Sequence, residues 1–275
     1  MKIQYLGTAA SEGWPALFCR CGACEKARKL GGKDIRTRSQ SIIDDILLLD
    51  MPADTYYHAL KYSIDFSSIR NIFITHSHED HFYPFDIILK APPYAHGGPV
   101  QSIKIFGNDV IVKALKKTMR LSGLKAAGQY IEPVEVLPFR PVEVDGYTVT
   151  ALLADHIPGE NCYIYIIEKA GRRLLYAHDT GIFPEETWDY LKGIRFDAVS
   201  LDCTFVLGYN ERGHMGFPNN VQVRKRMLED RCSDENTVFI INHFSHNGNR
   251  THEELSSYSE KHGFITAYDG MSIIF

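Results

Sequence analysis

The sequence predicts an α/β protein in which two β-sheets pack together and helices cover their outer faces. Three observations carry this expectation. Short apolar runs alternate with amphipathic stretches along the whole chain. No Pro/Gly/Ser-rich linker, short-period repeat or low-complexity tract interrupts that alternation. The 275 residues are 44% hydrophobic and 23% charged, an ordinary globular balance that leaves enough apolar side chains for a large core. A single domain over residues 1–275 is therefore expected.

Taken in order, the apolar alternation puts a first strand at 2–6, stopped by Gly7, and a second over 41–49 in "SIIDDILLL". The amphipathic stretch 54–63 reads as a helix. A strand at 70–75, a helix at 84–91, a strand at 102–106 and a helix at 108–122 follow from the same test of period. Strands are expected at 133–137 and across 141–154, where Asp145-Gly146 is a tight-hairpin signal, then at 162–168 and 172–177. Helix 184–192, strand 197–202, helix 219–231, strand 237–242 and helix 251–262 continue the pattern. The last stretch, 264–274, carries a second hairpin signal at Asp269-Gly270 in "AYDGMSII".

A net charge of −4, in short and mixed charged runs, gives no support for a polyanionic partner. The opening "MKIQYLG" lacks the apolar stretch and cleavage site of a signal peptide, and no segment approaches the ~20 apolar residues of a membrane span. A cytoplasmic protein with no membrane partner is the expectation. Six cysteines are unevenly spread: Cys19, Cys21 and Cys24 crowd into "CRCGAC", while Cys162, Cys203 and Cys232 sit in or beside apolar runs and read as buried small hydrophobes. A disulfide framework would be unusual in such a chain.

The strand at 70–75 runs straight into "HSHEDH", with His76 and His78 two residues apart and then Asp80 and His81. On extended backbone, residues i and i+2 project to one side, so His76 and His78 can grip one ion. If a helix then begins, Asp80 and His81 point from its first turn toward a neighbouring position. Imidazole with carboxylate suits zinc, manganese or iron. A polar turn after a strand is the plain alternative, and six polar residues packed against an apolar strand argue against it.

His-x-His-x-Asp-His after a strand resembles the signature of the metallo-β-lactamase superfamily, which implies an αββα four-layer sandwich and a dinuclear metal site. Further positions match in order: Asp50 ending "LLLD", His156 in "LLADHIPGENCYIYII", Asp179 in "LLYAHDTG" and His243 in "VFIINHFSH". The resemblance then implies that His76, His78 and His156 hold one ion and Asp80, His81 and His243 a second. Asp179 would lie between them, and Asp50 would support the ligands from behind. Asp80 is also counted with the catalytic residues. Asp50 equally fits a turn before Pro52, and Asp179-Thr180-Gly181 also reads as a turn. His178 would face away from the site, whereas His58, His96, His252 and His262 are expected to be solvated.

"CRCGAC" brings three soft ligands close enough to share a zinc, and a closed tetrahedral site needs a fourth. His246, three residues after His243, can supply it. This arrangement is similar to the phosphodiesterase branch of the carbon–phosphorus lyase pathway, where a Cys3His zinc ties an N-terminal loop to the active-site neighbourhood. "LGTAASEGWPALFCRCGAC", "LDCTFVLGYNERGHMGFPNNV" and "AYDGMSI" extend the likeness nearly end to end. In that branch a histidine after the "DC(S/T)" strand assists catalysis, and here His214 matches it. The chain departs from the branch at His178, where a small residue is common, and in the loops 92–99 and 205–218.

The resemblance implies a metal-dependent phosphodiesterase for small, including cyclic, phosphodiesters, with two active-site manganese, zinc or iron ions and one structural zinc. A water between two such ions is a nucleophile at neutral pH. Lactone or thioester hydrolysis, tRNA 3′-end processing, and a non-hydrolytic role like that of the pyrroloquinoline quinone biosynthesis B protein are the alternatives. Within these 275 residues, neither the long protruding arm of the tRNA-processing family, nor the appended helical domain of glyoxalase II, nor a flavodoxin module is expected. A polymeric nucleic-acid substrate is not expected, and a homodimer is left open.

Overall fold

A computed structural model describes residues 1–96 and 101–275 and contains two seven-stranded sheets. The first sheet runs β14-β1-β2-β3-β4-β5-β6, from Ser272–Ile274 (β14) through Lys2–Gly7 (β1), Gln40–Ile43 (β2), Leu47–Leu49 (β3), Asn71–Phe73 (β4), Ile103–Gly107 (β5) and Ile131–Glu135 (β6). The second runs β13-β12-β11-β10-β9-β8-β7, from Phe264–Thr266 (β13) through Val238–Asn242 (β12), Ala198–Asp202 (β11), Arg172–Ala177 (β10), Tyr163–Lys169 (β9), Tyr147–Leu153 (β8) and Pro141–Val144 (β7). Each sheet has an antiparallel part and a parallel part. Strands β3 to β6 are parallel in the first sheet and β10 to β13 in the second.

The parallel strands need crossovers, and the helices provide them. Thr55–Tyr62 (α2), Pro84–Ile87 (α3), Asp109–Leu121 (α4) and Ala127–Tyr130 (α5) belong to the first half. Glu185–Leu191 (α6), Phe217–Glu229 (α7) and His252–Glu260 (α8) belong to the second, with Gly22–Leu30 (α1) contributed by the N-terminal segment. Helix α4 forms because Asn108 caps it, accepting from Ile111 N at 2.9 Å, and because Ile111, Val112, Leu115 and Thr118 make one buried stripe. Helix α8 starts with a reciprocal Thr251–Glu254 cap.

Three apolar clusters define four layers. Ile72, Ile74 and Ile105 face Ile111, Leu115 and Ile87 outside the first sheet. Val199, Leu201 and Ile241 face Trp188, Val223 and Leu255 outside the second. Between the sheets lie Phe73, Phe106, Tyr165, Tyr176 and Tyr163. The Phe73 and Phe106 rings stack at 4.4 Å and Tyr165 meets Phe73 edge-on at 5.5 Å. Tyrosine hydroxyls stitch the two sheets: Tyr165 donates to Ile74 O at 2.6 Å, and Tyr5 to Ser200 Oγ at 2.8 Å. Each fully buried aromatic is worth about 1.5–3 kcal/mol, so the core is large without help from any metal. The chain is an α/β sandwich with helices outside both sheets, as the sequence predicts. Among the described residues, no helix is long and apolar enough to cross a membrane.

Three expected elements need correction, and one helix was not expected. The run 41–49 is two strands, because Asp44 and Asp45 take φ of 47° and 63° and turn β2 back along β3. The signal at Asp269-Gly270 is no hairpin: β13 joins the second sheet and β14 the first, while Gly270 N bonds Tyr5 O at 2.7 Å as the chain crosses over. Helix 84–91 is a short α-turn continued by a 3-10 turn. Helix α1, over 22–30, escaped prediction because it opens on Gly22 and the cysteines. Of the loop 92–99, residues 97–99 lie outside the described residues.

His58 is another correction, since it is fully buried rather than solvated. Its Nδ1 lies 2.6 Å from Gln40 Oε1 and its Nε2 lies 2.7 Å from Thr37 Oγ1. His252 likewise packs inward, with Nδ1 at 3.0 Å from Arg36 Nη2. Burial lowers the His58 pKa from 6.5 to about 4. The unfolded chain therefore takes a proton that the native state refuses, so stability is full above pH 6.5 and falls as the pH drops toward 4. His58→Gln is expected to flatten the stability–pH curve in that window by up to ~1.4 kcal/mol per pH unit. Denaturant titrations of both proteins at several pH values measure the difference. Identical slopes would show that His58 titrates normally.

Candidate active site

Parallel strands put all their C-terminal ends on one edge, and α/β folds collect ligands there. Asp50 follows β3, the 76–81 segment follows β4, Asp179 follows β10, Asp202 ends β11 and His243 follows β12. Asp50, Asp179 and His243 have φ of 64°, 52° and 62°. Such left-handed non-glycine residues are strained and gather at functional sites. Here all three side chains are buried, Asp50 against His81 and Asp179 against His243.

The 76–81 segment is held by its own loop chemistry. After β4 the chain makes one turn, with His81 N and Phe82 N both bonded to His78 O, and α3 starts only at Pro84. Ser77 N donates to Glu160 at 2.9 Å, and Asn108 Nδ2 donates to the same carboxylate at 2.8 Å.

Two groups of side chains converge. His76 Nε2 and His156 Nε2 each lie 3.0 Å from His78 Nδ1, beside Asp179. His81 Nε2 lies 3.2 Å from His243 Nε2, with Asp80 and Asp179 alongside. Asp179 belongs to both groups, at 3.3 Å from His76, 3.0 Å from His81, 3.5 Å from His156 and 2.7 Å from His243. Its Oδ1 is buried and lacks a well-aligned protein donor.

The outward nitrogens already have partners. His81 Nδ1 meets Asp50 at 2.7 Å, His243 Nδ1 meets Thr204 Oγ1 at 2.8 Å, and His156 Nδ1 meets Gly213 O at 2.7 Å. A ring that donates outward keeps a lone pair inward, which is how metal-binding imidazoles are oriented. The residues present therefore fit divalent ions. Asp50 also accepts from Thr75 N at 2.8 Å, so it braces the 76–81 loop as well as His81.

Charge balances within the cluster. Burial opposes protonation of His81 and His243, but Asp179 and its neighbouring carboxylates outweigh it, raising His81 well above its ordinary value and His243 to about 10. Burial likewise opposes ionisation of Asp80 and Asp179, yet the imidazoles hold both carboxyls low. His76 is different: burial and the charge of His81 push it down to about 3, leaving it neutral. A cation entering here replaces protons.

His214 stands at the wall of the same cleft. Its Nδ1 is 3.0 Å from Asp202 Oδ2 and 3.2 Å from Thr204 Oγ1, and its ring stacks 5.6 Å from His243. Burial lowers its pKa, but the charge of Asp202 more than reverses this and raises it above the ordinary value. Asp202, fully buried, was missed in the sequence. The signal was present: it ends an apolar strand in an acid, as "LLLD" and "LLYAHD" do. His178 lies behind the site, with Nε2 at 2.7 Å from Ser200 Oγ, and burial keeps it neutral.

The cysteine loop forms a separate group. The ligand atoms of Cys19, Cys21, Cys24 and His246 lie within 4.8 Å of one another, with Cys21 Sγ 3.4 Å from His246 Nδ1. Cys21 precedes α1 and Cys24 sits in its first turn. Hydrogen bonds from the Cys24 backbone and His246 lower the Cys21 thiol to about 6, whereas burial raises Cys24 to about 11.

A model of the beta-lactamase superfamily domain matches residues 52–232. The chain belongs to that superfamily. It is a metallo-β-lactamase-fold hydrolase family, and the fold together with the His/Asp clusters implies divalent metal ions. Among curated relatives, ribonuclease Z of Rippkaea orientalis is 28% identical over 206 residues, covering 73% of this chain and 59% of that protein. Ribonuclease Z of Picrophilus torridus is 24% identical over 155 residues, covering 56% of this chain and 44% of that protein. The chain thus spans about half the length of the curated relatives it matches. Its fold is shared with a diphosphatase of the PhnP family, at a TM-score of 0.75 and 21% identity, covering 100% of this chain and 97% of the other. It is shared equally with Zn2+-bound PqqB from Methylobacterium extorquens, at 0.77 and 17%, covering 100% of both chains.

Proposed function

We propose that this protein is a metal-dependent phosphodiesterase acting on small phosphodiesters. The observation that carries the reading is a proton donor set beside two ligand groups: His214, held by Asp202, shares one cavity with Asp80, Asp179 and His243. His76, His78 and His156 would hold one ion, and Asp80, His81 and His243 the other, with Asp179 shared. Manganese and zinc suit this nitrogen and oxygen set, and iron is the remaining candidate. Held by these residues, two divalent ions would supply the positive charge that neutralises phosphoryl oxygens and lowers the pKa of a water, the chemistry that diester hydrolysis at neutral pH needs.

The protein's own groups then complete the reaction. Water oxygen adds to phosphorus, and the bond from phosphorus to one ester oxygen breaks. His214 gives its proton to that departing oxygen while Asp202 keeps the ring oriented. Asp80 lines the same cavity and, besides holding an ion, would take the proton of the attacking water. Asp50 and Thr204 fix the His81 and His243 rings from behind.

The ribonuclease Z relatives favour a second reading, cleavage of diesters in RNA. The net charge of −4 weighs against a polyanionic substrate. Kinetics on phosphodiesters, phosphomonoesters, lactones, thioesters and a tRNA precursor, with metal content measured in parallel, separate the readings. Preference for small diesters supports the proposal. Activity confined to lactones or thioesters overturns it.

The cysteine group would hold a structural zinc, since thiolates select that metal. Cys21→Ser is expected to cost one equivalent of zinc and to loosen the N-terminal loop, while the two-sheet core keeps the protein folded. Elemental analysis and limited proteolysis read both effects. Full zinc content with unchanged protease resistance would mark these residues as plain thiols.

A further inference from the structure

Two cavities meet at the ligand groups, and they differ in chemistry. One, of about 310 Å3, is lined by His214, Glu12, Phe205, Ser245 and Asn247. The other, of about 410 Å3, is lined by Arg38, Ala53, Glu79 and Tyr83. Ser11, His78 and Asp80 border both. A phosphodiester has two arms on one phosphorus, so a pair of cavities joined at the reacting centre matches its shape.

We propose that the His214 cavity receives the leaving arm and that Glu12 sets its specificity, selecting leaving alcohols that are neutral and carry hydroxyls. The inference rests on the phosphodiesterase reading above. It assigns the arms because only one cavity holds the proton donor. The phosphorus–oxygen bond of the leaving arm breaks and that oxygen takes the proton from His214, so the arm has to lie on the His214 side.

The wall of this cavity then decides what fits. Glu12 is fixed by Ser245, whose Oγ donates to Oε1 at 2.5 Å, and His246 Nε2 lies 3.7 Å from the same oxygen; the Glu12 side chain is 30% exposed. Among the described residues lining the cavity, none is lysine or arginine. An anionic group on the leaving arm that lies against Glu12 would meet a like charge, with no lysine or arginine at that wall to pair it. A hydroxyl finds an acceptor in Glu12 and further partners in Ser11 and Asn247. Phe205, 45% exposed, presents an apolar face, with its ring 6.2 Å from that of His214. The fixed cation lies across the boundary: Arg38, paired with Asp54 at 3.1 Å, donates through Nε to Ser11 O at 2.8 Å.

Two isosteric substrates test this on the metal-loaded full chain. Both are methyl phosphodiesters. The second alcohol is glycerol in one and the terminal hydroxyl of glycerate in the other, so only a hydroxymethyl and a carboxylate differ. The wild type should prefer the glycerol ester by at least about tenfold in kcat/KM, the scale of one uncompensated like-charge contact. Glu12→Gln keeps the acceptor for Ser245 and should shrink the preference several-fold. Asn247→Lys adds a cation at the same wall without touching Glu12 and should shrink it too. Dissociation constants of the analogues with carbon in place of the bridging leaving oxygen should follow the same ratios without turnover. Equal use of both esters by the wild type, or a preference unmoved in both variants, overturns the Glu12 assignment. Hydrolysis of bis(p-nitrophenyl) phosphate by the same samples shows that the phosphodiesterase reading survives. Hydrolysis of no diester by metal-loaded protein overturns both.

Discussion

Asp179→Ala is expected to lower metal content and turnover together, with divalent-ion affinity falling by more than about 10²-fold. The reason is geometric. One buried carboxylate touches four imidazoles, at distances from 2.7 Å to 3.5 Å, and belongs to both ligand groups. No other side chain does so among the described residues. Loss of a partner behind a ligand typically costs 10–100-fold in metal affinity, so loss of a carboxylate common to both groups, proposed as the shared ligand, should cost more. Asp179→Asn keeps the shape and removes only the charge, and it should fall between the wild type and the alanine variant. Elemental analysis and steady-state kinetics on the same preparations read the result. Full metal loading in the alanine variant would remove Asp179 from its central place.

His214→Ala should behave differently. His214 sits beside the ligand groups, but its Nδ1 is committed to Asp202 at 3.0 Å rather than to the cluster. Metal content should stay at the wild-type level while turnover falls by ~10²–10⁴, the range for loss of a general acid. The loss should be smallest for nitrophenyl esters, whose leaving groups need little protonation, and largest for alkyl or ribosyl esters. His214 and Asp202 also lie within 4.8 Å of the ligand atoms of Asp179 and His243. If His214 were instead a ligand, metal would be lost and every substrate would suffer alike. The leaving-group dependence therefore distinguishes the two roles.

The candidate site was legible where its residues are close in sequence or end an apolar strand. "HSHEDH" is local, and the strand before it explains why so many ionisable groups can be crowded there: the ends of parallel strands open onto one cleft. Asp50, Asp179 and His243 share that position, and their left-handed backbone follows from the need to turn inward. Asp202 ends a strand in the same way, yet its role depends on His214 in a loop 12 residues later, which only the folded chain brings back. Glu12 has no local signal at all. It lies on the N-terminal segment and reaches the cavity because that segment packs against Ser245.

The fold was legible as alternation but not as connectivity. Asp145-Gly146 and Asp269-Gly270 look alike in sequence, and only the first closes a hairpin, between β7 and β8. A turn signal reports local backbone, whereas the sheet that the next strand joins is set by distant partners. For β14 that partner is β1, through pairs such as Ile3 with Ile273. His58 shows the same limit, because a histidine on a short helix reads as solvated until Gln40 and Thr37 close over it.

The most direct test of the dinuclear account is a titration of metal-free protein with manganese, followed through hydrolysis of bis(p-nitrophenyl) phosphate. The cysteine group is filled with zinc beforehand. The account predicts no activity without added metal and a rise that reaches its plateau at two equivalents per chain. A plateau at one equivalent, or hydrolysis that proceeds undiminished in the metal-free protein, would contradict it.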